Sequence, residues 1–141
     1  MKLLISIIIA MLMITSSQVS AEQKKQLGDW DVHYIAFPAP LLTPEIAKQY
    51  RIQRSKFNAV INISVLNSQS QQAQKVAISG IAKDLLGRQI ALDFSEVVEG
   101  KAIYYLAQLP FKDQQTFDFT LTLSQKDSLQ QLTFKQKFYV D

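Results

Sequence analysis

The stretch TFDFTLTLSQ, residues 116–125, alternates apolar and polar side chains with a period of two. Phe117, Phe119, Leu121 and Leu123 fall on one side of an extended chain, and the residues between them fall on the other. This pattern is typical of a β-strand with one face buried and one face in water. We therefore expect this segment to lie in a sheet that covers a hydrophobic core.

Alternation of the same kind recurs along the chain. It predicts seven strands, which lie near residues 29–37, 57–66, 75–83, 89–98, 101–109, 116–125 and 131–140. Short connections at Glu99-Gly100 and Lys126-Asp127-Ser128 predict two hairpins, of the fourth and fifth strands and of the sixth and seventh. Gly80, within the third strand, indicates a bulge or a close approach of two backbones. The expected fold is all-β, an immunoglobulin-like β-sandwich of about seven strands.

One segment, LLTPEIAKQY at residues 41–50, departs from the alternation. Thr43 can cap a helix, and Pro44 suits the first helical position. Ile46, Ala47 and Tyr50 then share one face of the helix. Because two turns are only marginally stable alone, we expect this short helix to dock on the sheet through that face.

The first 21 residues have the pattern of a secretory signal peptide. Lys2 precedes an apolar run from Leu3 to Ile14, and Val19-Ser20-Ala21 places small residues where a signal peptidase reads. The run is too short for a membrane-spanning helix, which needs about 20 residues. We therefore expect cleavage after Ala21, a periplasmic location and no stable membrane insertion afterwards. An uncleaved anchor is the alternative.

Residues 22–141 have the length of one domain with its own core, and we assign them to a single β-sandwich domain. The chain has no cysteine, so this domain must be stable by packing alone in an oxidising compartment. Loss of the leader removes Lys2 and lowers the formal net charge from +3 to +2, too little for a nucleic-acid-binding surface. Disorder is expected only in the leader and at residues 22–27. No feature of the sequence decides the oligomeric state.

His33 is the one histidine of the chain, in WDVHYIAF at residues 30–37. Alternation puts His33 and Asp31 on the face opposite Trp30, where the aspartate could orient the imidazole of a hydrolytic site. Such a site also needs a nucleophile, and the chain has neither a cysteine nor a serine in a nucleophile-elbow pattern. We therefore expect no enzyme activity. A hydrolase-like enzyme that uses Asp31 and His33 is the alternative.

Metal ions and other cofactors are not expected. One histidine, no cysteine and scattered carboxylates offer no ligand cluster with zinc spacing, and the glutamine-rich loops do not suit calcium. The four glycines are spread singly through the chain, so they cannot form a phosphate-binding loop.

Two further groups of residues are candidates for binding. RIQRSK, residues 51–56, contains Arg51, Arg54 and Lys56, the densest positive patch, which could hold an anion or an acidic partner surface. In Tyr104-Tyr105, alternation places one ring inside and one outside, and an outward tyrosine suits an interface.

Four stretches together resemble a known family. They are GDWDVHYIAF (28–37), TPEIAKQYRIQRSK (43–56) leading into NAVINISVL (58–66), EVVEGKAIYYLAQLPF (96–111) and QKFYVD (136–141). In this order they resemble domain of unknown function 4426, DUF4426, a family of short exported proteins of Gram-negative bacteria. The resemblance implies a periplasmic immunoglobulin-like sandwich and supplies no catalytic residue. Within it, the binding candidates are His33, Tyr34, Arg51, Arg54, Lys56, Tyr104 and Tyr105.

The function expected from these observations is that of a non-catalytic binding or adaptor module of the cell envelope. The edges of a sandwich are available for strand addition, so an envelope protein is the expected partner. The alternative outside enzymes is a small-ligand carrier, with a pocket between the sheets near the helix.

Overall fold

The computed structural model describes residues 22–140. The predicted signal peptide and its cleavage after Ala21 lie outside the described residues. Within residues 22–140, no helix has the length and apolar character needed to cross a membrane.

Nine strands, one α-helix and one 3-10 turn make up the described chain. They are β1 (Gln23–Leu27), β2 (Trp30–Pro38), the 3-10 turn (Ala39–Leu41), α1 (Pro44–Gln49), β3 (Asn58–Asn67), β4 (Ala77–Asp84), β5 (Gln89–Leu92), β6 (Ser95–Glu99), β7 (Ala102–Pro110), β8 (Gln115–Gln125) and β9 (Ser128–Phe138). One sheet has the order β1-β2-β3-β7-β6 and the other β5-β4-β8-β9, with every neighbouring pair antiparallel. This architecture confirms the predicted all-β sandwich with one short helix.

The described chain has nine strands rather than the predicted seven, for two reasons. Residues 22–27 were expected to be disordered, but residues 23–27 form β1, which pairs with β2. Its sequence, QKKQL, carries no alternation because backbone hydrogen bonds, not a buried face, hold it at the sheet edge. The predicted strand 89–98 is two strands, because the chain leaves the four-stranded sheet at Asp93-Phe94 and joins the five-stranded one as β6.

Both predicted hairpins are confirmed. Glu99 pairs with Ala102 and Gln125 pairs with Ser128, so a two-residue turn joins β6 to β7 and another joins β8 to β9. The close-approach interpretation of Gly80 is also confirmed. A Cβ there would overlap the Leu121 side chain and lie 2.9 Å from the Thr120 carbonyl oxygen, while β4 keeps an unbroken register with β8.

The space between the two sheets is filled by apolar side chains. The alternating residues of β8 supply Phe117, Phe119, Leu121 and Leu123, each at most 1 % exposed. Ile61 on β3 faces them from the other sheet and is fully buried. Because this interior is packed solid, the stability of the fold comes from here.

The helix α1 docks on the outer face of the five-stranded sheet, away from the core. The Thr43 hydroxyl accepts the amide hydrogen of Ile46 at 3.3 Å and caps the helix as predicted. Ala47 is buried against Val60, which projects from the outer face of β3. Gln108 on β7 fixes the chain after the helix, because its side-chain oxygen accepts the amide hydrogen of Gln53 at 3.1 Å.

Candidate functional site

The docked helix leaves a concave surface on the outer face of the five-stranded sheet. We call it the trough: it lies between α1 and β6, above β7, and encloses about 230 Å³. Most of its wall is apolar or aromatic, from Phe37, Leu42, Ile46, Tyr50, Ile52, Val60, Val97, Tyr104 and Leu106. Ile46 was predicted to dock on the sheet with Ala47, but it is 42 % exposed and forms part of this wall instead.

An unsatisfied polar atom lies at the base of the trough. Asn62 projects from the outer face of β3, where it pairs with Ile35 of β2 and Leu106 of β7. Its Oδ1 is buried and has no hydrogen-bond partner. A buried oxygen without a donor costs free energy, so Asn62 lowers the stability of the fold.

His33 lies in a basin next to the trough, and the Tyr104 ring forms a wall of both. The Nδ1 of His33 is 3.6 Å from a carboxylate oxygen of Glu22, and its Nε2 is buried without a partner. Ser64, Gln71 and Lys101 complete the polar lining of this basin. The outer face therefore carries two unsatisfied polar atoms, one on β2 and one on β3.

Asp31 shares the outer face of β2 with His33, as alternation predicts, but it is not exposed. Its side chain is covered by the loop after β3, and Gln71 Nε2 donates to its Oδ2 at 2.9 Å. Lys24 Nζ is 3.9 Å from the same oxygen. The acidic group beside the imidazole of His33 is therefore Glu22 rather than Asp31.

The tyrosine candidates divide between the two faces. One ring points outward and the other inward, as predicted; Tyr104 is the outward one and Tyr105 the inward one. The Tyr105 hydroxyl accepts the Val76 amide hydrogen at 2.8 Å and lies 3.2 Å from the Glu96 carboxylate. Burial, together with that carboxylate, raises the pKa of Tyr105 above its usual value. Tyr34 also points inward, so Tyr34 and Tyr105 support the core and contribute nothing to the outer surface.

The three basic candidates do not form one cluster. Arg51 lies in a polar groove that continues the trough past Tyr50. The Arg54 guanidinium instead donates to the carbonyl oxygens of Leu42 at 2.8 Å and Pro40 at 3.3 Å. Lys56 lies over the ring of Phe57, with Nζ 5.4 Å from its centroid. The positive patch predicted from neighbouring residues is therefore not a single site. Arg51 lines a groove, Arg54 binds the carbonyl groups of a loop, and Lys56 lies on the surface.

Strand β6 was not predicted as a separate strand, so most of the trough was not predicted either. Ser95, Val97 and Glu99 share the outer face of β6, and all three line the trough or its polar continuation. The stretch SEVVE lacks the alternation of an exposed-and-buried strand because both of its faces are partly open. The polar residues Asn62 and Ser64 within the apolar β3 segment were the available signal.

Within residues 22–140, the concave surface beside the helix lies on the outer face of the sheet and not between the sheets, where the small-ligand alternative placed its pocket. The helix lies outside the sandwich, and aromatic rings such as Phe119 and Phe134, with centroids 4.6 Å apart, fill the interior. Among residues 22–140, no group of three or more histidine, aspartate and glutamate side chains is placed to hold a metal ion.

A family model and a crystal structure of a family member both match this chain. The sequence model for DUF4426, a domain of unknown function, matches residues 24–141. The chain belongs to the DUF4426 family. A crystal structure of a DUF4426 family protein from Pseudomonas aeruginosa PAO1 is 36 % identical, with a TM-score of 0.74 over 85 % of this chain and 96 % of that chain.

More distant structures share the fold alone. FetP of uropathogenic Escherichia coli strain F11, expressed in the periplasm of E. coli, is 8 % identical, with a TM-score of 0.60 over 87 % of this chain and 98 % of that chain. A copper-bound variant of FetP is 12 % identical, with a TM-score of 0.59 over 85 % and 95 %. Comparison with curated proteins finds no match.

Proposed function

We propose that this protein is a non-catalytic adaptor of the cell envelope that binds an extended segment of a partner protein along the edge of β6. The observation that carries the proposal is the position of β6. Within the described chain this strand pairs on one side only, with β7, and every second side chain on it faces the trough. The leader of residues 1–21 supports a periplasmic location for this activity.

The backbone of β6 is oriented for strand addition. Glu99 and Ala102 close a two-residue turn, so they form a pair that exchanges both backbone hydrogen bonds. Antiparallel pairing alternates, and the backbone groups of Val98 and Glu96 therefore point away from β7. A partner strand would pair with these groups. Val98 is also 61 % exposed, which leaves the edge accessible.

The trough gives such a strand its side-chain specificity. Its volume of about 230 Å³ is below the ~300–1,000 Å³ of ordinary small-molecule pockets and suits one large side chain of a bound segment. The apolar wall, to which β6 contributes Val97, fits an aromatic ring that reaches over β6 from the added strand. We therefore expect an aromatic residue in the bound segment.

A binding role also agrees with the state of the would-be catalytic residues. The Asp31 carboxylate is occupied by Gln71 and lies near Lys24 rather than orienting His33. The imidazole of His33 therefore lacks the orienting aspartate on which the hydrolase alternative depended.

Photo-crosslinking in living cells tests this proposal. p-Benzoylphenylalanine placed at Val97 is expected to give an adduct of defined mass with an envelope protein. Val98→Pro removes the outward amide hydrogen of the edge and leaves the β6–β7 hydrogen bonds in place. We expect it to lower the adduct yield by about tenfold, the effect of one or two lost hydrogen bonds.

Leu129→Pro is the matched control. Leu129 lies on an edge strand of the other sheet, is 67 % exposed and, like Val98, neighbours the closing pair of a two-residue turn. The adduct at Val97 should keep its yield in this variant, and both proline variants should unfold at similar temperatures. The absence of an adduct, or an adduct that Val98→Pro leaves unchanged, would overturn the proposal.

A further inference from the structure

A second surface of the molecule, unrelated to the trough, presents apolar side chains to water. At the turn between β4 and β5, Leu85 is 74 % and Leu86 81 % exposed. The turn is held in shape by the Asp84 carboxylate, which accepts the amide hydrogens of Leu86 and Arg88, each at 2.9 Å. The guanidinium Nε of Arg88 also donates to it at 2.8 Å. The two leucines are therefore presented by a rigid turn.

Other chain segments bring more apolar side chains to this end of the sandwich. Gln115 at the start of β8 lies 3.5 Å from the Asp84 carboxylate, and the amide of Phe111 donates to the carbonyl of Phe57 at 2.8 Å. Tyr139 follows directly after β9, whose last residue, Phe138, pairs with Gln115. Leu41 follows β2, whose last residue, Pro38, pairs with Ala59, two residues after Phe57. In the described part of the chain, five of the nine large apolar residues that are exposed lie here: Leu41, Phe57, Leu85, Leu86 and Tyr139. We call these five residues the apolar end.

Cationic side chains lie behind the apolar end. Lys56 lies over Phe57, and Lys137 Nζ is 5.3 Å from the ring centroid of Tyr139. Lys112, in the loop between β7 and β8, is exposed. Long cations beside aromatic rings are typical of protein surfaces at a membrane–water boundary, where the rings enter the headgroup layer and the ammonium groups meet phosphates.

We propose that the apolar end docks reversibly on the surface of an anionic phospholipid bilayer. The apolar side chains stand on separate protruding turns, a shape that enters a soft headgroup layer more readily than it fills a pocket. Charge complementarity supports a lipid surface: Lys56, Lys112 and Lys137 are exposed there and outnumber the one exposed carboxylate beside them, Asp113, which accepts the Val140 amide hydrogen at 2.8 Å, while the Asp84 carboxylate is paired with Arg88. Such docking is peripheral, with no segment crossing the bilayer, and it would hold the adaptor against a membrane.

Vesicle sedimentation tests the proposal with the exported protein, its N-terminus checked by mass spectrometry because a retained leader would itself bind lipid. We expect the protein to sediment with vesicles of phosphatidylethanolamine and phosphatidylglycerol, and much less with vesicles of phosphatidylcholine alone. Binding should fall as sodium chloride is raised, because salt screens the lysines. The double substitution Leu85→Ser and Leu86→Ser should lower the partition coefficient by about tenfold or more.

The control Leu129→Ser removes an equally exposed leucine from another part of the molecule and should leave sedimentation unchanged. Lys112→Glu provides a second test that leaves the leucine turn intact, and it should weaken binding to the anionic vesicles alone. Absence of vesicle binding, or binding that neither variant weakens, would overturn the proposal. So would a dimer in analytical ultracentrifugation that the double substitution dissolves, because a second copy would then occupy the apolar end.

Discussion

The two faces of the five-stranded sheet are made by the same strands but differ in burial and in the pairing of their polar atoms. On β3, the side chains of Ile61, Ile63 and Val65 point inward and are fully buried among apolar neighbours. Asn62 and Ser64 alternate with them on the outer face, where Asn62 Oδ1 has no partner. Unsatisfied polar atoms destabilise a fold, so their position on one face only indicates that the inner face holds the sandwich together, which agrees with our proposal that the outer face binds a partner.

In the turn between β4 and β5, by contrast, the buried polar side chain of Asp84 has hydrogen-bond partners. The Asp84 carboxylate is 7 % exposed and accepts hydrogen bonds from two amides and one guanidinium. The unpaired atoms of Asn62 and His33 are therefore a property of the outer face rather than of the whole molecule.

The largest effect is expected on the inner face. Ile61→Ala leaves a cavity in a core that has no room to collapse, and it should lower the free energy of unfolding by about 2–5 kcal/mol. Urea denaturation followed by tryptophan fluorescence measures this, since Trp30 is buried in the same core. A loss below about 1 kcal/mol would mean that the inner face does not dominate stability.

A smaller effect of opposite sign is expected one residue further along the same strand. Asn62→Leu replaces the unpaired amide with an apolar group of similar size, and the free energy of unfolding should rise by about 1 kcal/mol. If Asn62→Leu destabilises the protein as strongly as Ile61→Ala, the outer face is a structural layer and the comparison fails.

The smallest effect concerns pH and the satisfied carboxylate. Burial alone would raise the pKa of Asp84, but the amide hydrogen bonds from Arg88 and Leu86 and the Arg88 guanidinium together lower it below the usual 3.8. Its contribution to stability is therefore complete above about pH 4 and is lost as the pH falls through the lowered pKa. The difference in thermal unfolding midpoint between wild type and Asp84→Asn should shrink on acidification. A difference that stays constant from neutral pH to pH 3 would contradict this assignment.

The fold could be predicted from the sequence because its core strands alternate. The pattern of β8 and the position of Gly80 each follow from one strand and its nearest neighbour. Strand β1 could not be predicted in this way, because its pairing with β2 depends on backbone groups that every residue has. The change of sheet at Asp93-Phe94 was hidden because no glycine or proline separates β5 from β6 in the sequence.

The candidate site was less predictable, because it depends on which surface each segment covers. Alternation correctly placed His33 on the face opposite Trp30, but no local pattern indicates that the loop after β3 covers Asp31. The docking of α1 on the outer face creates the trough. The helix docks on Val60, which lies more than ten residues from Ala47 in the sequence, so no local pattern reveals the contact. Arg54 was grouped with Arg51 because the two are close in sequence, but its guanidinium donates hydrogen bonds to the carbonyl oxygens of Leu42 and Pro40 in the loop before the helix.

Amide hydrogen exchange at β6 is the most direct test of whether a partner strand pairs with this edge. The probe is a synthetic peptide of the segment that crosslinks at Val97, added to the labelled protein and followed by NMR. We predict that the outward amides of Glu96 and Val98 exchange at least about tenfold more slowly with the peptide bound, while the exchange rate of the Leu129 amide is unchanged. Protection along β9 instead of β6, or a bound peptide that leaves Glu96 and Val98 exchanging freely, would contradict it.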